Sequence, residues 1–199
     1  MESDGSRLAA AAAICNLMAE SLTADRQAMY NAVNSLKRVF EAMGMFQESM
    51  LSSEIAALLE YDESATSEYV RLFEMGAVPL CETSYTCAGN PELKTYEMAD
   101  IAGFYRAFGL KQAYGTPDDI RAELEFFSLL LVKELIAISN SDTESAALCR
   151  DARRKFYSEH LSRWVEALAS RVGDNTSKPL YIHLTNLLKM VVLNGGLMG

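Results

Sequence analysis

The side chains in this sequence best equipped for chemistry are four cysteines, two histidines and a few acids outside the regular apolar pattern. Cys81 and Cys87 share one segment and could approach each other, but Cys15, Cys149, His160 and His183 all lie far from it in sequence. Zinc asks for four Cys or His ligands at close spacing, so the Cys81–Cys87 pair reads as two free, small apolar residues. No metal and no cofactor is expected. A ferritin-like carboxylate site needs Glu-x-x-His from two helices, whereas Glu159 and His160 are adjacent and diverge around a helix. The glycines are isolated apart from Gly195-Gly196, so no phosphate-cradling loop exists, and no Gly-x-Ser-x-Gly elbow occurs. A Cys–His nucleophile pair stays open, because such partners are distant in a chain. The expected role is nonetheless binding, not catalysis.

The acids carry the more specific signal. Glu82 sits in a segment with no helix to cap, so a partner or a local hydrogen bond must account for it. Asp118 and Asp119 precede an apolar-periodic run, where acids cap amides and stabilise the helix dipole, and that role suffices for at least one of them. Glu123 follows Asp119 by one turn, so the two could form one acidic patch, with a solvated surface acid as the plainer reading of Glu123. Tyr85 either anchors the loop or lines a groove. Glu82, Tyr85, Asp118, Asp119 and Glu123 are the candidate residues for contact with a partner, and the resemblance described below implies that the partner is a peptide. Carboxylates hold guanidinium groups through paired, charge-assisted hydrogen bonds.

The elements that must position these residues are helices. Apolar residues recur at helical spacing and no segment sustains a period of two. A first helix is expected over about residues 6–21. Met29, Val33, Leu36, Phe40 and Met43 line one face of a second, opened by Asp25 and closed by Gly44. Leu51, Ile55 and Leu58 mark a third, and Tyr69, Leu72 and Phe73 a short fourth that stops at Gly76. An irregular stretch from Ala77 to Pro91 follows, long enough to suggest function. Met98, Ile101, Tyr105 and Phe108 predict a fifth helix stopped by Gly109. Thr116 is the expected N-cap of the sixth, with Pro117 at its first position, Asp119 in a capping-box-like place, and Ile120, Leu124, Phe127 and Leu131 as its stripe. After a polar break at Ser139 to Glu144, Tyr157, Leu161, Trp164 and Leu168 give a seventh, ended by Gly173 and Asp174. A last helix runs from about Lys178 to Leu193, and the tail from Gly195 to Gly199 is expected to fray. The fold class is all-α: a single-domain bundle of about eight helices over residues 1–199, without heptads or fixed repeats.

Tyr69, Phe73, Tyr105 and Trp164 are expected in the core. His160 reads as a hydrogen-bonded structural histidine beside Trp164, and Arg153-Arg154-Lys155 as a solvated helix face.

Composition narrows the partner. In 199 residues there are 27 acids and 18 bases, a net charge of −9. Residues 1–100 hold 16 acids against 6 bases, and residues 101–199 hold 11 against 12. Such a surface repels phosphate and attracts basic segments, which argues against nucleic acid. Ten methionines would make an apolar groove adaptable. The acidic start Met1-Glu2-Ser3-Asp4 and the alanine-rich run after it do not read as a secretory signal. No stretch reaches the ~18 apolar residues of a membrane span. A cytoplasmic protein without direct membrane insertion is expected.

Three ordered patterns carry a resemblance. They are Glu68-Tyr69-Val70-Arg71-Leu72-Phe73 followed by Val78-Pro79-Leu80-Cys81-Glu82-Thr83-Ser84-Tyr85; Phe104-Tyr105-Arg106-Ala107-Phe108-Gly109 followed by Thr116-Pro117-Asp118-Asp119-Ile120 and Glu123-Leu124-Glu125-Phe126-Phe127; and His160-Leu161-Ser162-Arg163-Trp164. Over about residues 26–170 the chain resembles the TorD/DmsD/NarJ family of redox-enzyme maturation chaperones. Asp119 stands where many members have a histidine, and Cys81 where an aromatic is common, which suggests a divergent branch. The resemblance implies an all-helical cytoplasmic chaperone, monomeric or homodimeric. It implies binding of the twin-arginine signal peptide, or another N-terminal segment, of a molybdopterin oxidoreductase during cofactor loading, and it favours a binding role for Asp118. The alternatives are a helical adaptor for another folded protein, or a nucleotide-binding protein or small enzyme.

Overall fold

A computed structural model describes residues 4–111, 115–194 and 197. Within them the chain forms α1 (Asp4–Ser21), α2 (Arg26–Ala42), α3 (Phe46–Tyr61), α4 (Ala65–Tyr69), α5 (Thr83–Thr86), α6 (Pro91–Ala107), α7 (Ile120–Ser139), α8 (Thr143–Phe156), α9 (Val165–Asn175) and α10 (Pro179–Leu193). The expected all-α class holds: the described residues contain no strand, only one isolated antiparallel bridge between Cys81 and Asp119.

Local chemistry sets the helix ends. Asp25 accepts from the amides of Gln27 and Ala28 at 2.9 and 3.0 Å and so starts α2. At its end Gly44 takes φ +69°, letting the Met45 amide reach back to Phe40 O at 2.9 Å. Asn90 caps α6 in the same way as Asp25, with Pro91 at the first turn, where its missing N–H costs nothing. The fifth expected helix therefore begins directly at the end of the long loop.

α7 lies at the centre, packed against α1 and α8, while α2, α3, α10 and α9 follow one another in a chain of neighbours starting from α1. Small residues on α1 allow a close approach to α7: Ala11 and Ala12 are buried, and Ser128 donates to Ala12 O at 3.0 Å. The core is strongly aromatic. Trp164, Tyr181, Phe126, Phe127 and Phe156 are all fully enclosed, and each such side chain contributes roughly 2–3 kcal/mol through removal from water. Tyr69, Phe73 and Tyr105 are buried as expected.

Four expectations are corrected. The N-cap of α7 is Asp119, not Thr116: the Cys81–Asp119 bridge holds residues 117–119 outside the helix, and Asp119 accepts from the Arg121 amide at 2.9 Å. The stripe through Tyr157, Leu161, Trp164 and Leu168 does not lie on one regular helix. A π-helical turn over Tyr157–Leu161 and a further turn intervene before α9, and Trp164 sits at the α9 cap. Arg153 is not on a solvated face, because it is buried and pairs with Glu134 at 3.1 Å, whereas Arg154 and Lys155 are exposed. In the expected frayed tail, Leu197 is buried in the core; residues 195, 196, 198 and 199 lie outside the described set.

No described helix is long and apolar enough to cross a membrane.

Candidate functional site

The segment from Ala77 to Asn90 is pinned at several points. Val78 N donates to Leu72 O at 2.7 Å, Arg171 Nε to Ala77 O at 3.2 Å, and the Tyr85 hydroxyl to Pro79 O at 2.8 Å. It then runs beside residues 118–120, where Glu82 N donates to Asp118 O at 2.8 Å and Ile120 N to Leu80 O at 2.9 Å. The Asp118 carboxylate completes the contact. Its Oδ2 accepts from Thr83 N at 3.2 Å and from Thr83 Oγ1 at 2.5 Å, at the first turn of α5.

This pairing carries Glu82 inward. Its side chain is 0% exposed, and Oε2 meets His160 Nδ1 at 3.1 Å. The other ring nitrogen of His160 meets Asp100 Oδ2 of α6 at 3.1 Å. His160 therefore bridges two carboxylates from two different segments. It packs against the rings of Phe156 and Phe104, with ring centres 5.2 and 5.7 Å away. Burial alone would lower the imidazole pKa, but the bonds to Glu82 and Asp100 and their charges together raise it.

Glu123 is also 0% exposed, which corrects the reading of a solvated acid. Trp164 Nε1 donates to its Oε2 at 3.2 Å, and the indole stacks on Tyr85 with ring centres 5.4 Å apart. Burial first, then the neighbouring Glu82 charge, push the Glu123 carboxyl well above its ordinary range. In its protonated form Glu123 can donate to Glu82. Before that proton is counted, one oxygen each of Glu82, Asp118 and Glu123 is buried without a hydrogen-bond partner.

Of the five expected residues, Glu82, Asp118 and Glu123 come together, and Tyr85 joins them through Trp164. Asp119 does not form a patch with Glu123: it is partly covered and pairs with Arg121 at 2.7 Å. Composition and spacing did not single out Glu97, Asp100 or Arg163. Arg163 NH1 donates to Glu159 O at 2.7 Å and stands 3.6 Å from Glu97 Oε1 and 3.9 Å from Glu82 Oε1. A signal existed for Glu97 and Asp100, whose i, i+3 spacing puts them on one side of α6; Arg163 lies in the turn after the π-helical Tyr157–Leu161, where helical spacing does not apply. Glu82, Glu97 and His160 also present ligand atoms within 4.8 Å of one another, a spacing a divalent ion accepts, but the Arg163 guanidinium already brings positive charge there.

An apolar groove of about 700 Å³ opens beside the cluster, floored by Tyr105, Leu110, Phe126 and Leu129. Asp119, Glu125, Lys111 and Arg121 stand among its lining residues. Tyr105 ties groove to cluster, since its hydroxyl donates to Pro117 O at 2.7 Å. Burial raises its phenol pKa, helped by the charges of Asp118, Asp119 and Glu82.

The polar interior of the bundle is thus a carboxylate cluster next to an apolar groove. Residues 41–170 match the family described as nitrate reductase delta subunit, and the match spans more than half of the chain. The chain belongs to that family, whose members are maturation chaperones for molybdoenzymes, and the TorD/DmsD/NarJ resemblance points the same way. The match ends where the resemblance ends, at residue 170, and begins near the end of α2, not at its start. No curated protein and no solved structure matches the chain.

Proposed function

We propose that this chaperone binds an N-terminal segment of a molybdopterin oxidoreductase, of the twin-arginine type, and holds it in the cytoplasm while the cofactor is loaded. The observation that carries the reading is the buried carboxylate cluster of Glu82, Asp118 and Glu123, in which Asp118 Oδ1 has no partner and Glu82 Oε1 faces the half-exposed Arg163 guanidinium at 3.9 Å. Arg163 sits too far from Glu82 and Glu97 for hydrogen bonds, so those acceptors retain capacity for a better-placed donor. A client guanidinium entering where Arg163 now stands would make charge-assisted bonds there. The apolar part of the segment would then lie in the groove over Tyr105, Leu110, Phe126 and Leu129.

Calorimetry with twin-arginine peptides from candidate clients tests this. Binding that weakens at least about tenfold when both arginines become glutamine is the expected result. Equal affinity for the two peptide forms, or no binding across plausible clients, overturns it.

A further inference from the structure

Helix α3 is apolar on two sides. Its inner side buries Ile55, Ala56 and Leu59. Its outer side carries Phe46, Met50, Glu54, Ala57 and Tyr61 at steps of 4, 4, 3 and 4, one continuous stripe. Phe46 is 74% exposed, Met50 66% and Tyr61 83%. Large apolar side chains gathered on one exposed helix face mark a contact surface more often than scattered ones do. Between the Tyr61 end of this stripe and Pro179 and His183 of α10 lies a groove of about 700 Å³, bordered by Glu54 and Asp62. The helix spans about 24 Å, enough to seat another helix of similar length.

The charge around the stripe selects the occupant. From residue 46 to residue 63 there are five acids, Glu48, Glu54, Glu60, Asp62 and Glu63, and no lysine or arginine; Asp62 is paired with Lys178 at 3.1 Å, which leaves four acids without a lysine or arginine side-chain partner. A second copy would set these four against four and bring two chains of net charge −9 together. An anionic partner is disfavoured for the same reason. We propose that the α3–α10 groove is a second docking site, and that it takes an amphipathic helix bearing Lys or Arg beside its apolar face. The surface shares no residue with the Glu82 cluster or with the groove over Tyr105, so it goes beyond the function proposed above and does not depend on it.

The test uses the full chain and two synthetic helices of about 16 residues, one patterned Leu/Lys and one Leu/Glu, followed by calorimetry and amide chemical shifts. The Leu/Lys helix is expected to bind, with shifts concentrated at residues 46–62 and 179–183. Met50→Lys combined with Tyr61→Lys should weaken it at least about tenfold, while affinity for a twin-arginine peptide stays unchanged. These side chains project into solvent, so folding is preserved, which circular dichroism checks. Comparable binding of the Leu/Glu helix, or shifts centred on Glu82, overturns the proposal. So does a dimer in sedimentation that Tyr61→Lys dissolves, since the occupant would then be a second copy.

Discussion

The indole Nε1 of Trp164 donates to Glu123 Oε2 at 3.2 Å, and neither side chain is accessible to solvent. Trp164 precedes α9 and Glu123 lies in the first turn of α7, so this bond joins two elements 41 residues apart at the point where the acid-bearing loop packs. An ionised carboxylate at such a place would be costly, and the raised Glu123 pKa is the response to that cost.

Glu123→Gln should therefore be a stabilising change at neutral pH. Glutamine reproduces the protonated acid: its oxygen accepts from Trp164 and its amide donates to Glu82. In the unfolded chain Glu123 ionises near its ordinary 4.5, while in the folded chain it keeps its proton well above that. This contribution is whole below pH 4.5 and is lost as pH rises toward the folded value, because the unfolded state gives up the proton first. The advantage of the glutamine variant should grow with pH, by at most about 1.4 kcal/mol per unit. Urea unfolding of both proteins at a series of pH values checks it, and a constant offset would show that Glu123 is ionised when folded.

His160 moves in the same direction for a different reason. Its folded pKa is raised above the ordinary 6.5 by Glu82 and Asp100 against the pull of burial. The associated stability is whole below pH 6.5 and fades as pH climbs through the folded value. His160→Gln should cost about 1–3 kcal/mol, with the larger deficit on the acid side. Melting curves of the two proteins at pH 5.5 and 8.5, alongside an imidazole titration followed by NMR, measure both parts (the pH values are about one to two units either side of the ordinary pKa). A deficit that grows with pH would contradict the assignment.

The helices were legible because their signals are local. The steps through Met29, Val33, Leu36 and Phe40, the cap at Asp25 and the glycine at 44 lie within a few turns of one another. What escaped was every feature made by a distant partner. Glu123 looked solvated because nothing within a turn of it announces Trp164 or Glu82. Arg153 looked solvated because its neighbours Arg154 and Lys155 are, while Glu134 approaches from the adjacent helix. Thr116 lost the cap to Asp119 because residues 117 and 118 form a turn, closed by Asp119 N on Thr116 O at 3.3 Å, and the bridge to Cys81 keeps Asp119 outside the helix. Glu82 and Asp118 stood out in the sequence by their places in a long loop and before a helix; their burial did not, because burial is decided by the π-helical turn that places His160 and by the packing of Phe104 and Phe156.

Glu134 illustrates the cost of breaking such a pair. It is buried on α7, bonded to Arg153 at 3.1 Å and to Arg150 at 2.8 Å, and of the two arginines Arg153 is buried and Arg150 is not. Glu134→Ala removes the carboxylate that both arginines share, while Arg153 keeps its contact with Leu197 O, and should cost about 3–5 kcal/mol. Arg150→Ala removes only the more exposed partner and should cost below about 1 kcal/mol. Chemical denaturation of the two variants gives the comparison, and similar losses would mean that the buried pair contributes no more than the exposed one.

Asp118 is where structure and binding can be separated. Its carboxylate receives two donors from Thr83 on a single oxygen, Oδ2, and the other oxygen, Oδ1, has no partner. Asp118→Ala removes the acceptor for both, so the loop before α5 should loosen. A loss of about 1–3 kcal/mol is expected, with faster amide exchange at Thr83. Asp118→Asn keeps a carbonyl oxygen that accepts both Thr83 donors and removes only the charge, so stability should change by less than about 1 kcal/mol. If Asp118 also serves a cationic client, the asparagine variant should still lose about tenfold in affinity for a twin-arginine peptide, with a weaker dependence on salt. Unchanged affinity in a fully stable Asp118→Asn protein would confine Asp118 to positioning the loop, and the guanidinium would then have to be met by Glu82 and Glu97.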